Sequence, residues 1–432
     1  MNALFSIDRR QRRSLLTLFV AGLFFWAAIT ALLPTLPLYI EYLGGTKQQI
    51  GLVMGAFALG LLPSRIGLGP LADVRGRKLV LAIGAAVGML APLGYLFVTS
   101  IPLLAALRAF HGISIAAFTI GYTALVTDLA PDNRRGEIVG YMSLVAPIGM
   151  AIGPALGGFI QASMGYSPLF LTSASLGLVA VLGISQVWEP PNDRAIASQP
   201  ESGRSGIHNY LARLGSPPLR IPASVMLMVG LIFGTIVTFI PLYIQDLGLN
   251  LNAGLFYTMT AIASFSVRLP MGRASDRYGR GIFILIGLSC YLMSMIVLRF
   301  ADGNFEVLLA GLFEGAAAGI TIPMMLTLIA DRCPPRERGL FFSACLGGFD
   351  LGLALAGPIF GSIAEVTGYR QLFGINSGLA VLAILLFLTG SARNVPESVR
   401  FALGRGKDAY ALMPPIGTDS PETEWEDELI KK

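Results

Sequence analysis

The chain has 432 residues, 54% of them hydrophobic and only 13% charged, with 51 Gly, 26 Pro, a formal net charge of +5 and a mean hydropathy of +0.68. A water-soluble chain carries about 25% charged residues; that surface cannot be built here, which excludes a soluble enzyme. Nor does the positive balance point to nucleic acid, because the basic residues come in short clusters between apolar runs and not along one amphipathic face.

Taken in chain order, Arg9, Arg10, Arg12 and Arg13 precede an apolar stretch from Ser14 to about Tyr39. A signal-peptide core has about 7–15 apolar residues, so this longer stretch predicts a retained first span. Since about 20 apolar residues cross a bilayer, the apolar runs predict spans one to six near 14–39, 48–71, 79–99, 102–128, 138–161 and 168–188. Spans seven to twelve follow near 221–244, 253–274, 282–300, 305–329, 340–364 and 371–391. Between the two sets, 189–220 is rich in Pro, Ser, Asn and charge and predicts a polar linker. The expected organisation is therefore a tail (1–13), a six-helix half (14–188), the linker (189–220), a second six-helix half (221–391) and a tail (392–432) ending in Glu422, Glu424, Glu426, Asp427 and Glu428. The fold class is an all-α membrane protein of twelve transmembrane helices in two pseudo-symmetric halves.

Lys and Arg set orientation in the membrane. Threading the spans alternately puts 25 basic residues on the side of the N-terminus, only Lys47, Arg299 and Arg370 on the other, and Arg65, Arg108 and Arg268 inside spans. Both termini and the linker are predicted to be cytoplasmic, in a multi-pass plasma-membrane protein. Cys290, Cys333 and Cys345 show neither a disulfide framework nor metal-ligand spacing and read as apolar packing.

The two sets of spans repeat one another. Gly69–Lys78 (GPLADVRGRK) answers Gly272–Gly281 (GRASDRYGRG), pairing Asp73 with Asp276 and Arg77 with Arg280 at an offset of 203. The same offset relates Arg65 to Arg268, Gly112 to Gly315, Asp128 to Asp331, Pro131 to Pro334 and Arg135 to Arg338; Pro37–Ile40 answers Pro241–Ile244 at 204. Parallel repeats of this kind characterise rocking carriers whose site lies between the repeats near mid-membrane.

On these residues the chain resembles the major facilitator superfamily over its whole membrane portion. Gly69, Asp73, Gly76, Arg77 and Lys78, with the copy Gly272, Asp276, Gly279 and Arg280, resemble the family's loop signature. Leu104–Ala117 is similar to the span-four signature, with His111 where Gln is common. Gly140, Gly149, Gly153, Pro154, Gly157 and Gly158 resemble the span-five antiporter signature of proton-coupled exporters, including the twelve-span multidrug branch. An acid at a helix C-terminus is unfavourable. The resemblance implies that Asp73 partners the start of span eleven near Gly339 and Leu340, and Asp276 the start of span five near Gly136, as a cytoplasmic latch. The glycine stripes of span five and span eleven (Gly352, Gly357, Pro358, Gly361) are expected to form the joint between halves.

Charges inside a membrane are costly and mark function. At about 1.5 Å per residue, Glu314 lies roughly 13 Å into span ten and Asp350 roughly 15 Å into span eleven. These two are the expected proton-coupling pair, with Arg108 tuning their charge and His111, the offset partner of Glu314, lining the path. Span one has no acid at its apolar centre, where many multidrug exporters of the family carry one; Glu41 lies near its outer end. Arg65 and Arg268 read as structural partners of the latch. Trp26, Phe25, Tyr122, Phe233 and Tyr257 are the aromatic candidates for a substrate cavity. No GxxxxGK[ST] loop is present, and His111 and His208 build no enzyme site.

The reading is a monomeric, proton-coupled antiporter exporting a small organic or drug-like compound, with protons and the lipid bilayer as its other partners, no nucleic acid, and neither cofactor nor metal. The alternatives are a proton-linked importer of a sugar or other metabolite and, more distantly, a transporter-like receptor.

Overall fold

A computed structural model describes residues 8–131, 134–190, 215–333 and 338–412, without the side chains of Leu269, Gly272, Arg273, Asp276 and 338–340. The acidic cluster Glu422–Glu428, His208 and most of the expected linker lie outside these residues. Every regular element among them is helical. In chain order they are α1 (Arg9–Thr30), α2 (Leu36–Tyr42), α3 (Lys47–Arg75), α4 (Arg77–Phe97), α5 (Ile101–Leu129), α6 (Arg135–Met142), α7 (Val145–Met164) and α8 (Tyr166–Ser185). They continue with α9 (Pro217–Asp246), α10 (Ala253–Tyr278), α11 (Arg280–Arg299), α12 (Asn304–Arg332), α13 (Arg338–Thr367), α14 (Tyr369–Gly390) and α15 (Val395–Ala402). Eleven helices, with α6 and α7 taken as one, are long and apolar enough to cross a membrane; α10, interrupted by Ser, Thr and Arg, is long but more polar and is not among them.

Proline explains one irregularity. Pro34 lies within the turn that separates α1 from α2 and Pro37 in the first turn of α2, whereas Pro241, the counterpart of Pro37, sits within an unbroken α9. The difference is local: only the first copy has two prolines, each removing a backbone donor.

The sequence repeat is also a repeat of contacts. The Tyr39 hydroxyl donates to the carbonyls of Tyr95 and Val98 (3.2 and 3.4 Å), and that of Tyr243 to Leu298 and Ala301 (2.8 and 3.4 Å). Gly112 and Gly315 let their helices approach so closely that an added Cβ would stand 1.9 Å from the Phe57 carbonyl and 2.1 Å from that of Thr260. Gly76 (φ 103°) and Gly279 (φ 86°) make the turns into α4 and α11 in a left-handed conformation that other residues adopt only with strain. This is why both copies of the loop signature carry Gly there.

The last described segment is clamped against the body of the molecule. Arg332, whose side chain is 0% exposed, donates from Nε to Asp408 (2.8 Å) and from its terminal nitrogens to the carbonyls of Pro218 (3.1 Å) and Ser391 (2.8 Å). Phe401 and Tyr410 lie against its guanidinium plane, and the Phe401 carbonyl packs against Gly281. One side chain thus joins the start of α9, the ends of α12 and α14, and the segment after α15. Removing one partner of a buried ion pair costs about 3–5 kcal/mol. Arg332→Met is therefore expected to lower the melting temperature of the detergent-solubilised protein clearly, as read by the loss of its monodisperse chromatographic peak on heating; an unchanged value would show that the clamp contributes no stability.

Candidate transport pathway

The loop signatures assemble around partly buried ion pairs. Arg77 extends from the turn after α3 to Asp128 at the end of α5 (2.5 Å), with Asp73 at 3.6 Å; Arg280 likewise reaches Asp331 at the end of α12 (3.3 Å) and donates to Ser275 (2.6 Å). Glu189 accepts from the backbone N–H groups of Arg77 (2.6 Å) and Lys78 (3.2 Å), filling the unpaired donor positions at the N-terminus of α4. The Lys78 ammonium donates to the carbonyls of Ser185 (2.8 Å) and Val187 (2.7 Å). The signature therefore ties the α3–α4 turn to α5 and to the end of α8. Asp128 and Glu189 belong to this unit; only the paired recurrence of Asp128 with Arg77 at the 203 offset signalled the first of them in sequence.

Asp73 itself is 61% exposed at the end of α3. A Cβ added at Gly67 or Gly69 on α3, or at Gly136 or Gly140 on α6, would meet open space. The opposite ends of the same helices are pressed together. A Cβ at Gly51 would stand 2.0 Å from the Gly357 carbonyl on α13, and one at Gly254 would stand 2.2 Å from the Pro154 carbonyl on α7. The bundle is thus closed at the end holding Gly51 and Gly254 and open at the end holding Asp73. Asp276, Gly272, Gly339 and Leu340 are helical, but their side chains lie outside the described set.

The glycine stripes divide between two tasks, which corrects the expectation that both form one joint. Gly149, Gly153 and Gly157 receive α1, at Trp26, at Thr30 and Ala27, and at Ala31, and the Thr30 hydroxyl donates to the Gly149 carbonyl (3.1 Å). From α7 it is Gly158, against Asn252, and the Pro154 carbonyl, against Gly254, that meet α10. On α13, Gly357 and Gly361 face α3, while Gly352 faces α9. A four-residue spacing places glycines on one helix face but does not say which neighbour covers that face.

Among the intramembrane charges, Glu314 on α12 is 0% exposed, and neither of its carboxylate oxygens has a hydrogen-bond partner of ordinary geometry among the described residues. Thr260 lies beside it but donates its proton to the Gly311 carbonyl (3.1 Å). Tyr257 and Tyr291 lie in its neighbourhood. Asp350 forms an ion pair with Arg65 that bridges α13 and α3. Arg108 and His111 are buried on α5; the Arg108 guanidinium stacks over Phe57 (4.4 Å), and His111 Nδ1 lies 3.2 Å from the Tyr95 hydroxyl and 3.5 Å from Arg108. The structure thus brings Arg108 and His111 together, but the described contacts of Arg108 are with Phe57, Tyr95 and His111, not with Asp350 or Glu314. Arg65, read from sequence as a latch residue, is the partner of Asp350.

Of the five aromatic candidates, Phe25 is stacked flat on Phe118 (centroids 3.6 Å apart), the Tyr122 hydroxyl donates to Met142, and that of Tyr257 to Val237. All three are buried in packing. Trp26 and Phe233 remain partly exposed, Phe233 beside Phe349. The cysteines are free, Cys333 and Cys345 buried and Cys290 partly so.

The sequence profile of the Major Facilitator Superfamily matches residues 18–269 and 252–425. The multidrug resistance protein MdtG of Serratia proteamaculans is 29% identical over 372 residues, covering 81% of this chain and 87% of its own. Among solved structures, a point mutant of the nucleoside transporter NupG aligns with a TM-score of 0.76 at 17% identity, covering 87% of this chain and 98% of that one. A bacterial homologue of the human lysosomal transporter Spinster, inward-facing and unoccupied, aligns at 0.71 and 16% identity, covering 88% and 96%. At such identities the structural likeness speaks for fold.

Proposed function

Because the chain belongs to the Major Facilitator Superfamily, a superfamily of transporters and not of enzymes, we propose that it is a proton-coupled antiporter that exports a small organic or drug-like compound by alternating access. The observation that carries this reading is the asymmetry of the bundle, closed at Gly51 and Gly254 and open at Asp73. Such a body has a site reached from one side at a time, and rocking about the joint would expose that site to the other side. The twelve spans form two six-helix halves, 14–188 and 221–391, joined by the 189–220 linker, with the protein acting as a monomer. With the 25 basic residues on the cytoplasmic side, both termini are cytoplasmic, the closed end is the outer one, and this conformation faces inward.

The MdtG relatives support export of drug-like compounds. Glu314 supports proton coupling, because a charge buried with no ion pair among the described residues is costly and the arrival or departure of a proton there changes the local energy strongly. Asp350 joins it as the second carrier: neutralising its carboxylate would release Arg65 and loosen the bridge between the halves.

Energised inverted membrane vesicles test direction and coupling together. Accumulation of substrate that collapses when the proton gradient is dissipated is the expected result. Uptake by energised intact cells would reverse the direction in favour of the importer, and transport indifferent to the gradient would remove the coupling. Asp73→Asn is expected to enrich the inward-facing state, lengthening electron-electron resonance distances between labels at Tyr141 and Tyr278, both exposed near the open end. Distances equal to those of the wild type would contradict a latch at Asp73.

A further inference from the structure

The two joints between the halves are built to one pattern, and a single substitution in that pattern leaves a cation without an acidic partner among the described residues. Gly51 meets the Gly357 carbonyl on the α3/α13 side; Gly254 meets the Pro154 carbonyl on the α10/α7 side, each position displaced by 203. One turn further in, a Cβ at Gly55 would stand 2.7 Å from the Ala354 carbonyl, while the Thr258 hydroxyl donates to the Ala151 carbonyl at 3.3 Å, again displaced by 203. Continuing along both joints, Arg65 on α3 is answered by Arg268 on α10, and Asp350 on α13 by Pro147 on α7. The first joint closes this level with an ion pair; at the second, the described residues give the arginine no acidic partner.

Arg268 is exposed and has no ion pair or hydrogen bond among the described residues. It stands ten residues before the end of α10 at Tyr278, about 15 Å at 1.5 Å per residue. An arginine at that depth is costly unless water and an opposite charge reach it. Arg268 is exposed and Gly140, toward the same end of the bundle, meets open space, which leaves room for water. The opposite charge has to come from an anion that enters with the water. A guanidinium offers a planar pair of donors that fits carboxylate, phosphonate or sulfonate bidentately, and Pro147 leaves its place free of a competing carboxylate. With Arg65 already neutralised by Asp350, Arg268 is, among the described residues, the cation left uncovered at this level of the two joints.

We propose that Arg268 is the recognition site for an anionic group of the transported compound, so that the substrate class is organic anions or zwitterions and not simple organic cations. The proposal rests on the transporter reading given above. It is tested by binding to the full chain in phosphatidylcholine nanodiscs, without any gradient, so its failure would leave the vesicle result standing and the reverse. The probes are 1-naphthoate, neutral 1-naphthamide and cationic 1-naphthylmethylammonium, measured by equilibrium dialysis against empty discs.

Naphthoate is expected to bind the wild type about tenfold or more tightly than the amide, on the scale of one charge-assisted contact. Arg268→Gln should abolish that preference and Arg268→Lys should retain part of it. Pro147→Asp should abolish it independently, because the chain would then supply its own anion, as Asp350 does for Arg65. Variants are compared only where they elute monodisperse and melt as the wild type does. The proposal is overturned if none of the probes binds, if the ammonium binds as well as naphthoate, or if the preference survives in Arg268→Gln and Pro147→Asp. Saturable displacement of naphthoate by dihexanoyl phosphatidylglycerol would assign Arg268 to a lipid headgroup and overturn it as well.

Discussion

Glu314→Gln is expected to reduce proton-driven transport about 100-fold or more, the scale of losing an essential proton-transfer group, while substrate exchange without a gradient continues. Glutamine keeps the shape of the side chain and removes its capacity to carry a proton. Glu314 is fully buried on α12, with neither oxygen in a hydrogen bond of ordinary geometry among the described residues, so no ion pair is broken by the change and the protein should fold. Counterflow and gradient-driven transport in the same proteoliposomes separate the two readouts. If both persist at wild-type rates, Glu314 is not the carrier; if both vanish with the protein unfolded, the acid is structural. Asp350→Asn should behave differently, since it also frees Arg65 from its partner and should alter the opening of the bundle as well as its coupling.

The second large effect is steric. Gly51→Leu would drive a side chain into the Gly357 carbonyl, 2.0 Å from the first added carbon, and Gly254→Leu into the Pro154 carbonyl at 2.2 Å. Backbone on both sides cannot move aside as a flexible side chain does. Overpacking of about 3 kcal/mol, borne only by the state in which these ends meet, shifts a two-state equilibrium about 150-fold. Either variant should populate the conformation that is open at the Gly51 end and lose transport through loss of cycling. Spin labels at Leu52 and Val366, both exposed near that end, placed in a background without the three native cysteines, should report longer distances than in the parent. Unchanged distances together with normal transport would mean that these contacts are not the moving joint.

Some of the architecture was readable because it depends on local chemistry. Apolar runs marked the spans, and the helices begin and end within a few residues of them; α1 starts at Arg9, ahead of the expected Ser14, and α9 at Pro217, inside the expected linker. The glycines at 76 and 279 followed from a backbone turn that repeats in both copies. Other assignments needed the packing. The stripe Gly149–Gly153–Gly157 looks in sequence like a moving joint and is covered by α1. Phe25, Tyr122 and Tyr257 look like cavity aromatics and are packed.

The sequence by itself determined that this is an all-helical membrane protein with a repeat of 203 residues, and it picked out the few charges held inside the spans, because hydropathy, turn chemistry and the cost of burying charge act residue by residue. Only the tertiary structure decided who meets whom. It joined Arg65 to Asp350 across nearly three hundred residues of chain, and it buried Glu314 completely with no ion pair among the described residues. The physical reason is that an ion pair depends on two positions at once. Spacing along one helix reports which face a charge occupies, while the partner on that face is chosen by how the helices pack.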